Sequence, residues 1–328
     1  MPFAEIAGHE KQLETLRWAL EKNRLHHAYL FLGPEGVGKK TIALSLAMAI
    51  QCLDMVHDFC GECDNCMRIR SDNHPDVHLV EVSTGKKEIS IQQVRELQRE
   101  LKFRPFYGRK KIVILDPASL MNNSAQNALL KTLEEPSGDS LLILISTSAG
   151  GLLPTLLSRC LRISFPPLSV ELVAKVLVSQ KGVKQEEAEF LAAMTLGSLG
   201  KALSPEMDAV VEKRKVWVKQ ITSLTPGNYR GVLALAEELA SVREGSLKFL
   251  EWVEGWYRDI LIYFATGNSQ GISNLDMAKY IEQQAALYSL ERILFLLSQA
   301  VKATARIQRN FNRRMTLENF FAHVVRIP

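Results

Sequence analysis

The stretch that most constrains this chain runs from Tyr29 to Cys52. Tyr29-Leu-Phe-Leu32 is a short apolar run. It passes directly into Gly33-Pro-Glu-Gly-Val-Gly-Lys-Lys-Thr41, and that loop opens an apolar helical segment from Ile42 to Cys52. A strand, a glycine-rich loop and a helix in that order form a phosphate-binding loop. The glycines let backbone N–H groups turn inward, the helix N-terminus adds positive potential, and Lys39 can reach the outer phosphates. Gly33, Gly36, Gly38, Lys39, Lys40 and Thr41 are therefore the candidate nucleotide-binding residues. One position departs from the pattern. The residue after Lys39 should carry a hydroxyl for Mg²⁺, but it is Lys40, and Thr41 comes one place late. An ammonium cannot ligate Mg²⁺. Nucleotide occupancy stays open, hydrolysis is not expected, and a loop that keeps its shape while binding nothing is the competing reading.

Cys52 ends that helical segment, and Cys60-Gly-Glu-Cys63-Asp-Asn-Cys66 follows. Two CxxC steps sharing a cysteine, with a fourth thiol from the helix end, can close a tetrahedral Zn²⁺ site of structural type. An iron–sulfur cluster would need a further cysteine followed by proline after Cys66. His57 and His74 are substitute ligands to weigh, and Cys160 is expected as a buried free thiol. The length of 328 residues calls for two or three domains. Hydrophobic content of 47% and charged content of 23% fit a soluble globular protein. No membrane-spanning run and no signal pattern are evident, so a cytoplasmic, reducing location is expected. The net charge of +4 permits a nucleic-acid partner without demanding one.

Further strands are expected at Val77–Val82, 110–116, Leu141–Thr147 and Leu161–Phe165, with a helix from Ile91 capped by Ser90. The strand ending in Asp116 places an acid where a phosphate-loop protein holds Mg²⁺ through water, although Asp116 could equally cap a helix. Asn123 or Ser124 is expected to cap the helix that contains Asn127-Ala-Leu-Leu-Lys-Thr-Leu-Glu-Glu-Pro136. Thr147 stands where a polar side chain would sense a γ-phosphate. Leu156-Leu-Ser-Arg159-Cys160 delivers an arginine between a helix and the next strand. Arg159 so placed can reach a neighbour's phosphate; a plain surface arginine is the other reading. After Pro166-Pro167 the pattern is helical throughout, in three short helices to Leu203 and then six longer ones. The tail is basic at Arg306, Arg309, Arg313, Arg314 and Arg326.

Taken in order, these features resemble the delta-prime subunits of bacterial DNA polymerase III clamp loaders, within the AAA+ clamp-loader family. Residues 126–136 and Ser158-Arg159-Cys160 carry the resemblance most specifically. It implies an α/β AAA+ P-loop domain with a parallel sheet over residues 1–166, in which the zinc module at 52–66 is inserted. A small helical lid at 167–205 and an all-α collar at 206–328 would follow. It implies a non-hydrolysing stator that helps place the sliding clamp on primed DNA, with delta and tau/gamma subunits as ring partners. Arg159 would act in trans on a neighbouring ATPase site, and Cys52, Cys60, Cys63 and Cys66 would bind zinc. The related tau/gamma ATPase shares the cysteines and the arginine. Three positions depart from its pattern: Lys40 at the Mg²⁺ hydroxyl, Pro117 where AAA+ ATPases place the glutamate that activates water, and Gly200 where the lid carries an arginine sensor. An active ATPase subunit and a zinc-dependent nucleic-acid-binding protein are the alternatives. Turnover by the pure chain would mark the first, and tight salt-sensitive DNA binding the second.

Overall fold

The computed structural model describes residues 3–107, 109–136, 139–205, 207–225 and 227–325. Arg326, the last member of the basic tail, lies outside them. The chain divides into two compact units, residues 1–182 with 197–201 and residues 183–196 with 202–328.

The first unit is built on a five-stranded parallel sheet. Its strands are β1 (Ala28–Leu32), β2 (Val77–Val80), β3 (Lys111–Leu115), β4 (Ser140–Ser146) and β5 (Leu161–Ser164), in spatial order β2-β3-β4-β1-β5. Side chains alternate between faces, as the period of two requires. Tyr29, Phe31, Ile112, Ile114, Leu141, Ile143 and Ile145 enter the core on one side. Ala28, Leu30, Val113, Leu115, Leu142 and Leu144 enter the core on the other. Both faces of β1, β3 and β4 are covered, so these strands read as continuous apolar runs rather than as alternating ones, whereas the edge strand β5 buries Ile163 alone. Helices α1 (Glu10–Glu21), α2 (Lys39–Gln51) and α3 (Asp64–Arg70) belong to the first side, and α4 (Ile91–Glu100), α5 (Asn123–Glu134) and α6 (Pro154–Leu157) to the second.

Local signals explain where these helices start. Ser90 caps α4 in a full capping box with Gln93. The cap of α5 is Asn122, whose side chain accepts the Ala125 N–H at 2.9 Å, and not Asn123 or Ser124. Asp116 is not the cap of the short 3₁₀ turn Ala118–Leu120, whose N-cap position is Pro117.

The three short helices expected after Pro167 are α7 (Val170–Lys181), α8 (Gln185–Met194) and α9 (Leu199–Leu203). The remaining helices are α10 (Met207–Thr222), α11 (Tyr229–Ala240), α12 (Arg243–Thr266), α13 (Ala278–Leu287), α14 (Leu290–Gln308) and α15 (Arg313–Val325). No strand occurs after Ser164 among the described residues. The second unit has its own core around Trp217, Phe249, Trp252, Trp256 and Phe321, with the Trp252 and Trp256 rings stacked at 5.6 Å. Arg214 is buried there between the Phe190 ring and the carboxylate of Asp276. No helix among the described residues is long and apolar enough to cross a membrane.

Candidate functional site

All five strands are parallel, so their C-terminal ends lie along one edge, where ligands bind in open α/β sheets. The glycine loop leaves β1 at this edge, and its first amide, Gly33 N–H, is held by the Ser146 carbonyl at the end of β4. Asp116 follows β3, and Glu81 follows β2. Lys39 is almost fully buried, and its ammonium turns back onto its own loop, donating to the carbonyls of Gly33 and Pro34 at 2.5 Å each. Burial lowers the Lys39 pKa, against the pull of Asp116 and Glu35. Lys40 does not face a metal position freely: it forms an ion pair with Glu81 at 2.8 Å. The Asp116 carboxyl is pushed up by burial, with Glu81 and Glu35 adding to the shift and Lys40 and Lys39 opposing it. Thr147 lies just past the end of β4 and is exposed.

The loop is also latched. Ser198 Oγ donates to the Glu35 carbonyl at 2.8 Å, and Gly200 N–H donates to the Gly36 carbonyl at 2.7 Å. Gly36 has φ +75°, and a Cβ there would lie 2.3 Å from Ser198 Oγ. A Cβ on Gly200 would lie 3.0 Å from Gly36 Cα. The position expected to lack an arginine is thus one where any side chain would press on the phosphate loop. The loop's hydrogen bonds explain why glycine stands there.

Arg159 sits at the C-terminal end of α6, one residue past its cap Ser158. Its Nη1 donates to the Thr155 carbonyl at 2.8 Å, and its Nη2 meets Glu134 Oε1 at 2.7 Å. The segment before α6 is fixed by the buried side chain of Gln126, which donates to the Met121 and Gly151 carbonyls and accepts the Leu153 N–H at 2.8 Å. A pocket of about 330 Å³ beside Arg159 is lined by His26, His27, Leu133, Ser158, Cys160 and Leu161. Cys160 is a buried free thiol, as expected, and burial raises its pKa to about 11.

Cys52, Cys60, Cys63 and Cys66 converge, with their sulfurs all within 4.8 Å of one another. Cys52 Sγ lies 3.7 Å from Cys60 Sγ and 4.0 Å from Cys63 Sγ. A tetrahedron with 2.3 Å zinc–sulfur bonds has sulfur–sulfur edges of about 3.8 Å. The spacing therefore fits one ion and is far too long for a disulfide. Backbone amides support thiolate charge here: Met55 and Cys60 N–H point at Cys52 Sγ, and Glu62 and Cys63 N–H at Cys60 Sγ. Burial works against ionisation of Cys63. The amides of Leu53 and Cys66 and hydrogen bonds from the Cys66 and Cys60 thiols outweigh it, bringing its pKa to about 7. Burial pushes the Cys66 thiol up. His57 and His74 are outside this group; His74 is buried, and its Nδ1 accepts the Asp76 N–H instead.

Residues 8–169 match the family model described as DNA polymerase III, delta subunit, and residues 209–324 match the model of its C-terminal part. The chain is 33% identical over 318 residues to the DNA polymerase III subunit delta' of Pseudomonas aeruginosa, covering 92% of each chain. It is 31% identical to the Bacillus subtilis subunit delta', covering 94% of this chain and 93% of that one. This chain belongs to the DNA polymerase III subunit delta' family. Against the tau subunit of Escherichia coli the identity is 35%, but only 62% of this chain and 32% of tau are covered. Residues 126–136 and 158–160 thus pointed to the right family. The fold matches the expectation of an α/β domain with a parallel sheet and a glycine loop after its first strand, followed by helices alone among the described residues.

Within this delta' family member, several residues escaped the sequence reading. Glu134 and Gln126 lie inside the motif that carries the resemblance, yet nothing in their spacing says that they hold Arg159 and its approach. The latch of Ser198 and Gly200 pairs residues more than 160 positions apart and leaves no local signal. The one sign available is that Gln126 shares the apolar helix face of Leu129 and Leu133, at i+3 and i+7, where a buried amide must find partners.

Proposed function

We propose that this chain is the non-catalytic delta' subunit of a clamp loader, working with delta and tau/gamma subunits to place a sliding clamp on primed DNA. Arg159 acts in trans on the nucleotide of a neighbouring ATPase subunit. The observation that carries this reading is a contrast within one sheet edge and its surroundings. At the chain's own phosphate loop, the Mg²⁺ hydroxyl is replaced by Lys40, which is tied to Glu81, and the water-activating position is Pro117. Elsewhere in the same unit, Arg159 is held at two points and remains about a third exposed. Phosphoryl transfer needs a metal clamp and an oriented water, and this chain lacks the loop hydroxyl of the first and the glutamate of the second, so its own hydrolysis is negligible whether or not nucleotide binds. A guanidinium offers a planar fork for a γ-phosphate at a partner's complete site.

The cysteine group holds one structural Zn²⁺, through thiolates from Cys52, Cys60, Cys63 and Cys66. Residues 1–166, 167–205 and 206–328 serve as AAA+ module, lid and collar, the last joining the ring, and the setting is cytoplasmic. An active tau/gamma-like ATPase is the alternative, since tau is 35% identical over 62% of this chain. Purified chain with Mg²⁺ and ATP separates the two. The proposal expects no turnover above background, together with stable association with delta and tau/gamma by native mass. Turnover near one per second, abolished by Lys39→Ala, favours the motor subunit.

A further inference from the structure

The loop between α4 and β3 displays aromatic side chains that no core accounts for. Phe103 is 67% exposed, Phe106 79% and Tyr107 57%. Between Lys102 and Lys110 the sequence carries Lys102, Arg104, Arg109 and Lys110 and no acid. Among the described residues, the side chains of Lys102, Arg104 and Arg109 make no ion pair.

This loop is held in place by buried polar groups. Asp76, fully buried, accepts the Phe106 N–H at 2.8 Å through one carboxylate oxygen and the Tyr107 N–H at 2.7 Å through the other. Gln51, also buried, accepts the Arg109 N–H at 2.8 Å and donates to the Lys110 carbonyl at 2.5 Å. The Phe106 and Tyr107 rings meet edge to face at 5.0 Å, and the Arg68 guanidinium, itself paired with Asp64, lies 5.4 Å from the Tyr107 ring centre. Two buried side chains thus fix a backbone whose own side chains face water. A loop needed only to connect α4 to β3 has no use for rings in that position, and exposed apolar groups that are held rigid mark a contact surface.

We infer that residues 102–107 and 109 present a docking surface for single-stranded nucleic acid, with Phe106 and Tyr107 as stacking platforms and Lys102, Arg104 and Arg109 as phosphate contacts. Charge decides the occupant. Rings interleaved with unpaired cations match a strand whose bases expose π-faces and whose backbone is anionic. A duplex keeps its bases stacked inside and offers only its phosphates. This surface lies beyond the trans-acting role of Arg159 and does not depend on it.

The test uses the isolated full chain without ATP, so its failure leaves the Arg159 reading standing. Fluorescence anisotropy is measured with a labelled thymidine oligomer of about 20 nucleotides and with a duplex of equal length, across a salt series. The wild type should prefer the single strand. Phe106→Ala with Tyr107→Ala should weaken single-strand binding at least about tenfold, leaving the salt slope and the melting temperature unchanged. Arg104→Ala with Arg109→Ala should flatten the slope by about 1.4, at about 0.7 per lost phosphate contact. Absence of wild-type binding at low salt overturns the inference, and so does wild-type affinity in the ring variant. Single-strand binding that survives in the ring variant while association with another clamp-loader protein is lost assigns the loop to a protein partner and equally overturns it.

Discussion

Glu134 and Arg159 form an ion pair of 2.7 Å that joins the end of α5 to the end of α6. Glu134 is half-exposed, so the pair itself adds little stability, on the order of 0–1 kcal/mol. Its consequence is orientation: together with the Thr155 carbonyl it holds the guanidinium in one place. Glu134→Gln should therefore change the unfolding free energy of the isolated chain by less than about 0.5 kcal/mol. In a reconstituted complex it should leave ATP hydrolysis at or above wild type, because it keeps an acceptor and removes a competing charge. Chemical denaturation and a steady-state ATPase assay check the two halves.

Gln126 should behave oppositely. Its buried amide satisfies Met121, Gly151 and Leu153 at once. Gln126→Leu leaves those backbone groups without partners and should cost about 2–3 kcal/mol. The loss should appear as a lower denaturation midpoint, with faster hydrogen exchange around residues 151–153.

Removal of the metal site should be plain to see. One zinc per chain is expected by elemental analysis, and Cys63→Ser should lower metal content and the melting temperature of the first unit. Structural zinc sites contribute on the order of 10 kcal/mol, so the variant should also be readily proteolysed. A fully stable, metal-free wild-type protein would speak against the site.

The latch gives a steric prediction. Gly200→Ala brings a Cβ to 3.0 Å from Gly36 Cα and from its carbonyl oxygen, so backbone must shift. A loss of about 1–3 kcal/mol is expected by thermal unfolding. Gly255→Ala, which meets nothing within 4 Å, serves as the control and should be neutral or slightly stabilising.

The central strands β1, β3 and β4 were legible because both of their faces are covered, so each appears as a nearly unbroken apolar run between turn residues. The cysteine group was legible because its four members lie within fifteen positions of one another. The cap of α5 was missed by one residue because Asn122, Asn123 and Ser124 are all competent caps, and only the backbone angles choose among them. The third short helix starts at Leu199, since Gly197 just before it has φ +76° and lies against the Leu168 backbone. Neither the latch nor the pinning of residues 106 and 107 by Asp76 was legible. Each joins residues brought together by tertiary structure alone. Asp76 in particular sits in His74-Pro-Asp76, which reads as an ordinary turn.

The central claim is that Arg159 works for a neighbour's nucleotide. The most direct measurement is clamp- and DNA-stimulated ATP hydrolysis by the reconstituted complex carrying Arg159→Ala or Arg159→Lys, alongside native mass of the assembly. Arginine fingers are worth about 10³- to 10⁵-fold at the site they serve, or roughly 4–7 kcal/mol. The account predicts intact assembly and a partial fall in hydrolysis and clamp loading, since other subunits supply their own arginines. Arg159→Lys should be nearly as damaging, because an ammonium lacks the planar fork. Intact assembly with both activities at wild-type levels would contradict the account and leave Arg159 a surface residue paired with Glu134.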